Sequence, residues 1–122
     1  ALFSPIAIDR GAGREALKQI ETQGRERLKS GFWVLIFPEG TRVAPGATAR
    51  FQVGGAWLAV KSGVPVVPVA HNAGRFWPKN GFRKYPGEIV VKIGAPIPTT
   101  GRKASQVLAE SENWIVDAMQ DL

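Results

Sequence analysis

The amino-acid sequence predicts an α/β fold in which helices pack on a mostly parallel sheet. Two apolar runs, residues 32–37 (FWVLIF) and 64–70 (VPVVPVA), have the length and unbroken hydrophobicity of strands covered on both faces. Around them lie segments whose apolar residues recur at helical spacing. Strand-like and helix-like segments alternate along the chain, the order that sets helices against a parallel sheet.

Each element follows from local chemistry. Residues 3–9 (FSPIAID) read as a short strand closed by the Asp9-Arg10-Gly11 turn. Residues 13–30 predict a helix: Leu17, Ile20 and Leu28 share a face, charges fill the others, and Gly31 supplies a stop. The buried strand 32–37 comes next, then a turn-rich stretch from 38 to 49. Residues 53–62 (VGGAWLAVKS) suit a short helix whose glycines permit close packing. Pro65 and Pro68 place the strand at 64–70 near a sheet edge or put the prolines at strand ends. Residues 88–93 (EIVVKI) alternate like a strand, and residues 104–122 predict a closing helix. With no internal repeat and no long linker, residues 1–122 predict a single domain.

Composition removes several function classes. The chain has no cysteine, which excludes a disulfide scaffold, a thiolate zinc site and a cysteine nucleophile. Its one histidine excludes a multi-histidine metal centre. Sixteen basic against ten acidic residues point to an anionic partner. The charge is uneven: residues 1–103 hold all 16 bases and only six acids, whereas the last segment has four acids and no base. A basic body therefore meets the anion, unless the surface is simply basic for solubility. No apolar run approaches the ~18–20 residues that span a bilayer, and no signal peptide is present. The opening at Ala1, directly into strand-like sequence, reads as a piece of a longer chain.

Five segments are candidates for chemistry. Gly11-x-Gly13-x-x-Ala16 follows a strand and opens a helix, as in dinucleotide folds, with Glu39 as a ribose-binding acid. Asp9-Arg10 and Pro38 interrupt that pattern, which also fits a flexible turn. Residues 37–42 (FPEGTR) bring a carboxylate, a glycine, a hydroxyl and a guanidinium to a strand's carboxyl end, where open α/β sheets bind ligands. There Gly40 permits close approach, Arg42 offers a bidentate fork for phosphate, and Glu39 accepts from substrate hydroxyls. A polar turn with an internal Glu39–Arg42 ion pair is the plainer alternative.

Arg10 converges with Arg42 on one phosphate if strands 3–9 and 32–37 are neighbours; otherwise Asp9 and Arg10 form a surface pair. His71, in the segment 67–74 (VPVAHNAG), follows a buried strand and reads as a wall or positioning residue, because no acid lies nearby in sequence to orient it as a base. Residues 75–87 (RFWPKNGFRKYPG) interleave Arg75, Lys79, Arg83 and Lys84 with Phe76, Trp77, Phe82 and Tyr85. That mixture suits single-stranded nucleic acid or an anionic membrane interface, or else a loop whose aromatics fold back onto the core. No Gly-x-Ser-x-Gly elbow, Walker-type loop or carboxylate-rich metal cluster occurs.

FPEGTR after a buried strand, IDR upstream and VPVVPVAHNAG downstream together resemble the lysophospholipid/glycerol-phosphate acyltransferase family, most closely its bacterial members that acylate 1-acylglycerol-3-phosphate. The resemblance runs from about Pro5 to Ile97. It implies a glycerol-phosphate acyltransferase-like fold, N-terminally incomplete here. It also implies transfer of a fatty acyl group from an acyl-CoA or acyl-carrier-protein thioester to the free hydroxyl of lysophosphatidate, giving phosphatidate.

By the same resemblance Arg10 and Arg42 grip the acceptor's phosphate. Glu39, Gly40 and Thr41 of the FPEGTR block position the glycerol backbone. Pro68, with Val69 and His71, shapes the acyl-donor side. No cofactor, metal or nucleic acid is implied, and the partner surface is the cytoplasmic face of a bacterial inner membrane. The family's His-x-x-x-x-Asp motif, whose histidine is the general base, is absent: position 76, five after His71, is Phe. That motif and a membrane-associating segment are expected upstream of Ala1, and the 122 residues alone are expected not to turn over. Two other readings stay open, a non-catalytic module for anionic lipid and a nucleotide or nucleic-acid binder.

Overall fold

The computed structural model describes residues 13–39, 51–77 and 83–122. Their elements are helix α1 (Arg14–Lys29), helix α2 (Gly54–Ser62), strand β1 (Val69–His71), a 3-10 turn (Ala73–Arg75), strand β2 (Val91–Ile93) and helix α3 (Ala104–Gln120). Each of the three helices lies within a residue or two of the span that its apolar spacing predicts. The strand expected at 3–9 and most of the segment 38–49 lie outside the described residues.

Helix α1 ends where backbone chemistry requires. Gly31 takes φ 85°, a left-handed conformation that glycine adopts without steric cost, and Phe32 N–H donates to Arg27 O at 3.0 Å. Helix α2 ends in the same way at Gly63, φ 68°, with Val64 N–H donating to Ala59 O at 3.1 Å. The two helices meet through glycine: Gly24 of α1 is buried against Leu58, and Gly54 of α2 faces the Ile20 side chain. Missing side chains thus let the neighbours' methyl groups approach the opposite backbone.

A second contact joins α2 to α3. Ala56, Ile97 and the fully buried Val107 form its centre, flanked by Val60, Val66, Ala104 and Leu108. Thr99, also buried, donates its hydroxyl to Val64 O at 2.7 Å. Helix α3 starts with Lys103 N–H donating to Gln106 Oε1 at 3.0 Å, and Arg102 donates to Pro98 O at 2.9 Å while pairing with Glu110 of α3 at 2.6 Å.

The α/β character stands, but the described strand pairing is antiparallel where a mostly parallel sheet is expected. Val69 pairs with Ile93, Ala70 with Lys92 and His71 with Val91. The Val66–Ile97 bridge, with N–H···O distances of 3.0 and 2.7 Å, extends this ribbon in the same sense. The physical reason is the connection. Parallel neighbours need a crossover, usually a helix. Among the described residues, 72–90 carry only the 3-10 turn, so the chain folds back beside β1.

Residues 32–37 also depart from expectation. They form no described strand, and their apolar side chains are largely exposed, Trp33 at 98% and Leu35 at 76%. Hydrophobicity alone encodes a preference for cover, not the partner that supplies it. Val34 is the least exposed of the six, and Ile36 lies against Gly55.

Candidate functional site

The FPEGTR block leaves residues 32–37 beside the start of α2. Pro38 is half-buried and its carbonyl accepts from Gln52 N–H at 2.7 Å. That bond ties Pro38 to the residues just before α2, next to the buried Phe51. Glu39 is half-buried, and no described residue hydrogen-bonds or ion-pairs with its carboxylate. Gly40, Thr41 and Arg42, like Arg10, lie outside the described residues, and so does the convergence of the two arginines. The glycine-turn candidate is described only from Gly13, which takes φ 57° and begins α1.

The downstream residues are fixed by the antiparallel ribbon. Pro68 is buried, and its ring and the Trp114 indole both crowd Gly94: a Cβ there would lie 2.9 Å from Pro68 Cγ and 2.6 Å from Trp114 Cε2. Pro68 and Trp114 of α3 thus both pack on Gly94. Val69 and His71 face the opposite way along β1 and are exposed, with Ala70 buried between them.

Cross-strand register sets Val69 opposite Ile93 and His71 opposite Val91, so this exposed face is apolar except for the imidazole. His71 Nδ1 accepts from Ala73 N–H at 3.2 Å. A neutral imidazole with Nδ1 accepting carries its proton on Nε2, so its outer edge is a donor. No described carboxylate contacts the ring.

Asn72 is a residue that sequence reasoning missed. Its Oδ1 accepts from Val90 N–H at 2.8 Å, and its own N–H donates to Val90 O at 3.3 Å. The amide thus continues the β1–β2 ladder by side chain. Asparagine after a strand and a histidine was the available signal.

Within the 75–87 segment the aromatics divide. The Phe76 ring covers Gly87, while Trp77 and Tyr85 are each 53% exposed. Lys84 Nζ sits 4.4 Å above the Trp77 ring.

Comparisons with known proteins agree with one another. The family model described as Acyltransferase matches residues 2–72. A 1-acyl-sn-glycerol-3-phosphate acyltransferase of Pseudomonas aeruginosa is 49% identical over 125 residues, covering 100% of this chain and 49% of that protein. The alpha form from Bos taurus is 33% identical over 109 residues, 88% of this chain and 38% of that protein.

Among solved structures, the 1-acyl-sn-glycerophosphate acyltransferase PlsC from Thermotoga maritima matches with a TM-score of 0.76 and 30% identity. It covers 88% of this chain and 46% of that one. The chain thus spans about half, or less, of the length of these proteins.

Proposed function

The chain belongs to the acyltransferase family, and we propose that the complete protein moves a fatty acyl group from a thioester to the free hydroxyl of 1-acylglycerol-3-phosphate. The observation that carries this reading is 49% identity, across every residue of this chain, to a bacterial protein named for that reaction. The glycerol hydroxyl oxygen attacks the thioester carbonyl carbon and the carbon–sulfur bond breaks. The products are phosphatidate and the free thiol of CoA or of the acyl carrier protein.

Residues 1–122 act as one acyltransferase unit concerned with holding the substrates. Arg42 and Arg10 bind the acceptor's phosphate, Arg42 through its planar fork. Glu39, Gly40 and Thr41 position the glycerol. Val69 and His71, on the exposed face of β1, lie on the acyl-donor side, with Pro68 and Trp114 packed on Gly94 behind that strand. His71 positions and does not take the proton, since its Nδ1 is already engaged by Ala73 N–H. The base belongs to a His-x-x-x-x-Asp pair, which these 122 residues do not contain. Acceptor and product are both lipids, so the reaction takes place at a membrane surface, in a bacterium the cytoplasmic face of the inner membrane.

The test is phosphatidate formation by the complete protein, with lysophosphatidate as acceptor and acyl-CoA or acyl-carrier protein as donor. Product should appear with lysophosphatidate and not with a lysolipid lacking the terminal phosphate. Equal use of both acceptors refutes the phosphate clamp, and no thioester cleavage with either donor refutes the reaction.

A further inference from the structure

We propose that the exposed Trp77–Lys84–Tyr85 patch, with Arg75 and Arg83, docks the protein on an anionic phospholipid surface. This rests on the lipid-acyltransferase reading and deepens it by naming the surface through which the enzyme meets its substrate's membrane.

Charge complementarity is the first ground. Residues 75–87 contain Arg75, Lys79, Arg83 and Lys84 and no acid, so the segment attracts a negative surface. Side-chain geometry is the second. Trp77 and Tyr85 are about half exposed, and Lys84 Nζ lies 4.4 Å over the indole. An indole capped by an ammonium has the layering of a bilayer interface, where aromatic rings sit at headgroup depth and cations meet phosphates.

Mounting is the third. Tyr85 N–H donates to Phe76 O at 2.7 Å, which ties the two arms of the patch to each other, and Val90 N–H donates to Asn72 Oδ1 at 2.8 Å where those arms leave the ribbon. Ile89 and Val91 continue an exposed apolar edge beside it. Nucleic acid, which suits cations and aromatics equally well, is the competing occupant.

The experiment places an environment-sensitive dye at Tyr85→Cys in the complete protein, with the same dye at Lys18→Cys, exposed on α1, as reference. Vesicles of phosphatidylglycerol and phosphatidylcholine carrying nitroxide headgroups are added, then vesicles of phosphatidylcholine alone. Nitroxide quenching should be severalfold stronger at position 85 than at 18, only on the anionic vesicles. R83E/K84E should reduce it to the level at 18. In the unlabelled protein, Trp77→Phe should abolish the blue shift of intrinsic fluorescence that anionic vesicles cause.

Equal quenching at both positions overturns the proposal, as does quenching that survives R83E/K84E. Protection of the dye by single-stranded oligothymidylate but not by vesicles also overturns it, in favour of nucleic acid. Phosphatidate formation from detergent-dispersed lysophosphatidate is measured in parallel. Persistence of that activity without vesicle quenching defeats the docking surface alone, and its absence defeats the functional reading.

Discussion

The methyl groups of Leu58 occupy the space that a side chain at Gly24 would need: a Cβ there would lie 2.7 Å from Leu58 Cδ1. Two opposed terms bear on Gly24→Ala. Helix propensity favours alanine by about 1 kcal/mol. Overpacking costs roughly 1–3 kcal/mol, and more where the neighbour cannot turn aside. Crowding should win, with a net loss of about 1 kcal/mol and a larger one for Gly24→Val. A double-mutant cycle by urea denaturation checks the cause. In a Leu58→Ala background, Gly24→Ala should no longer destabilise.

Thr99 is buried far along the chain from its partner Val64, yet holds that carbonyl at 2.7 Å. Thr99→Val keeps the shape and removes the donor. A buried carbonyl left unpaired costs about 1–3 kcal/mol, while Thr99→Ser should recover most of the loss. Denaturation midpoints of the two variants decide the matter, and equal midpoints would remove the hydrogen bond from the account.

For the phosphate clamp, Arg42→Ala in the complete protein should lower kcat/KM for lysophosphatidate by ~10-fold or more, from a lost charge-assisted bond of roughly 1.5–3 kcal/mol. Arg42→Lys, which keeps charge but loses the fork, should fall between wild type and alanine. An unchanged kcat/KM in Arg42→Ala ends this role.

His71 tests the division between positioning and base chemistry. His71→Asn offers an oxygen to Ala73 N–H in place of Nδ1. Its kcat should fall by less than ~10-fold, whereas loss of a general base costs ~10²–10⁴. A fall in that larger range makes His71 the base.

Helices were legible in the chain because their determinants are local. Leu17, Ile20 and Leu28 repeat at the helical period, and Gly31 and Gly63 stand at the stops where the backbone turns left-handed. The FPEGTR block was legible for the same reason. A proline, a carboxylate, a glycine and a guanidinium within six residues make it stand out as a family block without reference to anything distant. Strand pairing was not legible. Alternation in residues 88–93 shows that they are strand-like, but nothing local states that Ile93 lies opposite Val69 or that Ile97 bridges to Val66.

The exposed Trp33 and Leu35 mark the same boundary. Hydrophobicity reports what a side chain prefers, and only the assembled fold decides what covers it. The sequence by itself determined three helices and their ends. Tertiary structure alone decided the antiparallel ribbon, the packing of Pro68 and Trp114 on Gly94, the contact of His71 Nδ1 with Ala73 N–H and the glycine-to-leucine seam between α1 and α2. Turn and helix energies depend on neighbours within four residues, whereas ribbon and seam depend on contacts between residues tens of positions apart.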